Sequence, residues 1–146
     1  MTRSDRGATT SSPVAIPSFL VSSSLLLILA QRLARKVCQE CKEPYEIDES
    51  SLEPHGHVSA ASQRITVYKG KGCDRCSGTG MKGRVALYEV MPITEELRDL
   101  ILKAAPTADL KRVAQEQGMQ TLRQSGLRKV IEGITTVEEV LRVTLG

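Results

Sequence analysis

The chain has no tryptophan, a single phenylalanine (Phe19) and three tyrosines in 146 residues, so any core must be built from Leu, Val, Ile and Ala. It also has no phosphate loop: the nearest glycine-lysine step, Gly70-Lys71, lacks the upstream glycine and the following hydroxyl of Gly-x4-Gly-Lys-Ser/Thr. Tight binding of ATP in the manner of that loop is therefore excluded for these residues. HExxH and a nucleophile elbow are missing too, and the only two histidines, His55 and His57, fall in one loop. On these grounds the chain is not expected to be an enzyme. A net charge of +3 is too small to argue for nucleic acid, and the apolar stretch over residues 19–30 is too short to span a bilayer.

What is present is a pair of Cys-x-x-Cys clips, Cys38/Cys41 and Cys73/Cys76, which use every cysteine in the chain. A two-residue spacer lets one tight turn aim both sulfurs at one ion, and zinc takes four such ligands at about 2.3 Å. Four thiolates leave no open coordination position, so the metal would be structural; iron suits the same donor set. In an oxidising compartment the four cysteines would instead form two disulfides. His55 and His57 could be metal ligands, but four cysteines already complete a tetrahedral shell, and both read as exposed loop residues.

Arg64, Lys69, Lys71, Arg75, Lys82 and Arg84 crowd around the second clip, with only Asp74 opposing them. A zinc held by four thiolates carries a formal charge of about −2, which nearby cations and backbone N–H groups offset. The same cations could form a surface for an acidic partner, and a small zinc-ribbon-like adaptor binding nucleic acid is the corresponding alternative; beyond Tyr68 no aromatics interleave them.

Along the chain, residues 1–16 are rich in Ser and Thr and read as a disordered leader or a truncation scar. They precede an apolar run and so invite a signal-peptide reading, which three serines at 22–24, Pro13, Pro17 and a mediocre cleavage site oppose. The segment FLVSSSLLLILAQRLARKV predicts a buried helix over residues 17–36 with Arg32, Arg35 and Lys36 at its C-terminal end. An acidic stretch with Pro44 and Pro54 limits any further helix to residues 48–52. Residues 65–69 and 84–90 alternate as short strands on either side of CDRCSGTGMKGR, where Gly78, Gly80 and Gly83 allow tight turns and N–H groups aimed at sulfur. From Pro92 onward the period is helical: residues 94–104 capped by Thr94, 107–117 capped by Thr107, 121–132, and a last helix started by a Thr135/Glu138 capping box.

Two families carry these clips. CDRCSGTG resembles the Cys-x-x-Cys-x-Gly-x-Gly repeat of Hsp40 co-chaperones, which use several copies of the motif where this chain has one. IPSFLVSSSLLLILAQRLARKVCQECKEPY, GCDRCSGTGMKGRVALYEVMPITEELRDLI and EQGMQTLRQSGLRKVIEGITTVEEVLRVT resemble, in that order, the C-terminal part of the type II secretion and type IV pilus assembly ATPases.

That resemblance implies Cys38, Cys41, Cys73 and Cys76 as ligands of a structural zinc. It also implies a hexameric motor, peripheral to the cytoplasmic side of the inner membrane, in which ATP hydrolysis drives pilus or pseudopilus extension. The implied partners are an inner-membrane platform protein and neighbouring ATPase subunits. In that family the nucleotide-binding apparatus lies upstream of the helix that begins near Ser18. The chain is thus expected to be a C-terminal fragment to which ATP, a cofactor of the intact protein, does not bind. The expected architecture is α+β: a leader (1–16), an apolar helix normally packed on the ATPase core (17–36), a tetracysteine zinc module with short strands (37–92) and a helical lobe (93–146).

Overall fold

The computed structural model describes residues 15–56 and 63–145. The leader expected over 1–16 lies outside these residues except for Ala15 and Ile16, and so does His57. The architecture is α+β, as expected, but the apolar segment folds differently. Helix α1 covers only Ser18–Ser24. Ser22 and Ser23 donate their hydroxyls to the carbonyls of Phe19 and Leu20, at 3.1 and 3.2 Å, and such back-bonding competes with further helical turns.

Strand β1 follows, Leu27–Val37, which corrects the expectation of one helix over 17–36. Leu, Ala, Gln and Arg favour a helix locally. Tertiary pairing overrides that preference: β1 runs antiparallel to β4, Met81–Pro92, in register from Leu27↔Pro92 to Arg35↔Arg84. The pairing buries Ala34, Val37 and Leu87 completely. β4 is also longer than the strand expected over 84–90.

A second two-stranded sheet joins β2, Lys42–Asp48, to β3, Arg64–Gly70. No strand was expected over these residues, where Pro44 was read only as limiting a helix; the two-stranded sheet has only edges, where a missing N–H is tolerated. A 3-10 turn over Glu49–His55 follows β2 and buries Leu52.

The C-terminal third is helical, as its period requires: α2 Glu95–Leu102, α3 Thr107–Glu116, α4 Leu122–Ile131 and α5 Val137–Thr144. Thr94 caps α2 by accepting the Leu97 N–H, and Thr121 and Gln124 form a reciprocal capping box on α4. α3 starts after Pro106 without a side-chain cap. The cap of α5 is Thr136, one residue later than expected, because the Thr135 hydroxyl is buried and donates to the Arg35 carbonyl at 2.7 Å. The aliphatic core has two parts. Leu127, Val130 and Val140 of α4 and α5 meet Val67 of β3 and Leu52; Leu97, Val113, Ala114 and Met119 cluster around α2 and α3. Gly126 lets α4 approach closely, since a Cβ there would stand 2.5 Å from Val140 Cγ1. Among the described residues no helix is long and apolar enough to cross a membrane.

One buried carboxylate ties α5 to β1. Glu139, 3% exposed, accepts the Arg35 N–H at 2.8 Å and both the Arg35 and Arg142 guanidiniums. Hydrogen bonds from Arg142 hold its carboxyl down to about 2 from the ordinary 4.5; burial opposes this, and Arg35 adds to it. A depressed folded-state pKa means stability present in full above pH 4.5 and lost as pH falls towards 2. Glu139→Ala should therefore cost about 1–3 kcal/mol in urea melts at pH 7, with the deficit relative to wild type shrinking between pH 4.5 and 2; a deficit that does not change with pH would show that the carboxylate charge is not what holds α5.

Candidate metal centre

Each clip lies where one sheet hands the chain to the other. Cys38 and Cys41 bridge β1 to β2, and Cys73 and Cys76 stand between β3 and β4, on either end of a 3-10 turn over Asp74–Cys76. Two main-chain bonds bring the clips together: Cys38 N–H donates to the Gly80 carbonyl at 2.9 Å, and Lys71 N–H to the Cys41 carbonyl at 3.0 Å.

The glycines decide how closely the loops approach. A Cβ on Gly70 would lie 2.0 Å from the Gly80 carbonyl oxygen, and one on Gly80 would lie 2.5 Å from that of Gly70. Gly80 also has φ +73°, the left-handed region that favours glycine.

The four sulfurs lie within 4.8 Å of one another. Cys38–Cys73, Cys41–Cys76 and Cys73–Cys76 are separated by 3.9, 3.8 and 3.7 Å. Sulfurs held tetrahedrally at about 2.3 Å from one ion would be separated by about 3.8 Å, so the spacing fits that donor set. A disulfide needs about 2.05 Å, and all four cysteines are free. Cys38 and Cys76 are buried, the other two partly so.

Backbone N–H groups point at the sulfurs. Gly72 donates to Cys41 Sγ at 3.3 Å, while Cys73 and Gly80 donate to Cys76 Sγ, each at 3.2 Å. Burial opposes ionisation of Cys76, but the N–H groups of Cys73 and Gly80, with the neighbouring thiols of Cys73 and Cys41, outweigh it and bring the thiol down to about 6. At Cys41 burial prevails over the single N–H from Gly72 and, with hydrogen bonds to the neighbouring thiols, pushes the pKa up to about 11. Cys41 and Cys76 thus hold their protons unequally, and a soft cation would replace them.

The structure thus brings together the four cysteines expected from the sequence. Among the described residues no other side chain joins them, and His55 lies in the 3-10 turn after β2. Of the glycines expected to serve sulfur, Gly80 does so through its N–H. The role of Gly72 was missed, although its place directly before Cys73 was a readable signal. The basic cluster is partly neutralised by β2: Arg64 meets Glu46 and Asp48 at 3.7 and 3.9 Å, and Lys71 meets Glu43 at 3.7 Å. Two unexpected cation–π contacts brace the same sheet, Lys42 over Tyr68 and Lys69 over Tyr45.

The family model described as Type II/IV secretion system protein matches residues 11–142. The chain belongs to this family. It is 47% identical over 129 residues to the type IV pilus assembly ATPase PilB of Myxococcus xanthus, covering 88% of this chain and 23% of that protein. It is 41% identical over 132 residues to PilB of Thermus thermophilus, covering 90% of this chain and 15% of the relative. To the type II secretion system protein E of Pseudomonas aeruginosa it is 43% identical over 131 residues, 90% of this chain and 26% of the relative. The chain therefore spans about a quarter or less of the length of these curated relatives.

Gly80→Ala should lower metal affinity about 10–100-fold, the usual cost of disturbing groups that orient ligands, because the added carbon meets the Gly70 backbone and displaces the N–H on Cys76. Gly78→Ala is the control: its φ is also positive, but nothing lies within 4 Å of the added carbon. Chelator competition measures both, and equal losses in the two variants would mean that left-handed strain alone, not the Gly70–Gly80 contact, governs the site.

Proposed function

We propose that this chain is the C-terminal zinc-binding part of a type II secretion or type IV pilus assembly ATPase, with a structural and interaction role in the motor. The observation that carries the reading is the closed set of four sulfurs at tetrahedral spacing, 3.7–3.9 Å across three of the edges, in a chain of this family. Cys38, Cys41, Cys73 and Cys76 would hold the zinc, which supplies no chemistry beyond binding the two sheets together.

In the intact assembly the module would sit peripherally on the cytoplasmic side of the inner membrane. The zinc module, with exposed Arg75 and Lys82 beside the second clip, would face the inner-membrane platform protein. Residues 17–36 and the helical lobe would pack on the nucleotide-binding core and a neighbouring subunit of the hexamer. ATP would bind the intact protein and not these residues, and its hydrolysis would drive pilus or pseudopilus extension. A nucleic-acid adaptor fits less well, since Arg64 and Lys71 are engaged by carboxylates of β2.

Elemental analysis should find about one zinc per chain, with four thiols titratable once it is removed, and Cys73→Ser should lose the metal and the local fold together. Iron at the same stoichiometry, or Cys73→Ser with full zinc and unchanged stability, would overturn the zinc assignment.

The role in the motor is tested by a chimera in which residues 15–145 replace the aligned segment of the Myxococcus xanthus pilus assembly ATPase. Pili should form with the wild-type segment and be lost with Cys73→Ser. A chimera indifferent to that substitution would remove the module from the motor's function.

A further inference from the structure

The four cysteines are not equivalent. Cys41 and Cys73 are partly exposed, whereas Cys38 and Cys76 are buried. The N–H bonds to sulfur are also unevenly spread: two reach Cys76 Sγ, from Cys73 and Gly80, and one reaches Cys41 Sγ, from Gly72. Among the described residues no N–H donates to the sulfur of Cys38 or Cys73. A hydrogen bond withdraws charge from sulfur and slows its attack on an electrophile. Cys73 thus combines access from solvent with a sulfur whose charge is undamped.

Two sulfurs stand close enough to trap an oxidised Cys73: Cys76 at 3.7 Å and Cys38 at 3.9 Å. Cys76 is the poorer partner. Its sulfur accepts the N–H of Gly80 and that of Cys73 itself, and it bonds to the Cys73 carbonyl at 3.4 Å, ties that a disulfide inside the turn would disturb. Cys38, at the end of β1, carries none of these. Closing 3.9 Å to the roughly 2.05 Å of a disulfide therefore breaks no N–H bond to sulfur. All three such bonds fall on the other cross-clip pair, Cys41 and Cys76.

We propose that Cys38 and Cys73 are a redox-modification site: hydrogen peroxide joins them in a disulfide, the metal is lost, and Cys41 and Cys76 stay reduced. The inference rests on the zinc reading above. The Cys73 sulfur attacks one peroxide oxygen, the O–O bond breaks and hydroxide leaves, so that Cys73 carries a sulfenic acid. The Cys38 thiolate then attacks that sulfur; the S–S bond forms, the S–O bond breaks and a second hydroxide leaves. Two thiolates, one peroxide and two protons become one disulfide and two waters, with peroxide reduced and both sulfurs oxidised. The two thiolates that remain are half of a four-thiolate donor set, too few to retain the ion. The new bond meanwhile keeps the end of β1 tied to the loop between β3 and β4.

The test uses the full chain loaded with zinc, its metal content fixed beforehand by elemental analysis. Hydrogen peroxide in molar excess should release the zinc completely to a colorimetric chelator, with about one disulfide formed for each zinc released. Cleavage after Lys, Arg and Glu places Cys38, Cys41, Cys73 and Cys76 on four separate peptides, so mass spectrometry identifies the linked pair. That pair should be Cys38–Cys73, and a dithiol reductant with added zinc should restore the metal content. Zinc retained under peroxide, a first disulfide in any other pair, or Cys73 oxidised past sulfenic acid with no disulfide overturns this inference and leaves the zinc assignment intact. A chain that binds no zinc overturns the zinc assignment, and this inference with it.

Discussion

Four sulfurs within 4.8 Å of one another are the constraint on which the strand architecture depends. A two-stranded sheet is marginal in water by itself, and the described residues form two of them, β1–β4 and β2–β3, with no strand shared. Each cysteine clip sits at a passage from one sheet to the other, so closing the tetracysteine set fixes both sheets at once. The Gly70–Gly80 contact and the N–H groups of Gly72, Cys73 and Gly80 serve that closure: the first permits the approach of the loops, and the others stabilise negative charge on sulfur.

Away from the sulfurs the fold rests on aliphatic packing and one buried carboxylate. Leu127, Val130 and Val140 fill the space over Val67 and Leu52. Glu139 draws β1 against α5 through a main-chain N–H and two arginines whose exposed portions remain hydrated. Val37, one residue before Cys38, is bonded to Ile134. The strand that delivers the first clip is therefore anchored to the turn before α5, which couples the helical end of the chain to the cysteines.

The helices were readable because their information is local. Thr94, Thr121, Pro106, Gly118 and Gly133 mark their ends, and the apolar spacing marks the buried face. The clustering of the cysteines was readable because two Cys-x-x-Cys clips at this spacing are the pattern that a shared site for a soft metal would require. β1 was not readable: LILAQRLARKV has no strong strand preference of its own, and its conformation is decided by β4, about fifty residues away in sequence. β2 was not expected from the acidic stretch around Pro44, and the Thr135-to-Thr136 shift of the last cap follows from a hydrogen bond to Arg35 a hundred residues earlier.

By itself the sequence determined the two cysteine clips, the helical C-terminal third, the aliphatic nature of the core and the family, each a matter of residue type and short-range spacing. Only the tertiary structure decided that residues 27–37 are a strand, that the clips link two separate sheets, and that Glu139 is buried between two arginines. Those features depend on contacts between distant segments, and the energy of such contacts exceeds the fractions of a kilocalorie by which local propensity separates helix from strand.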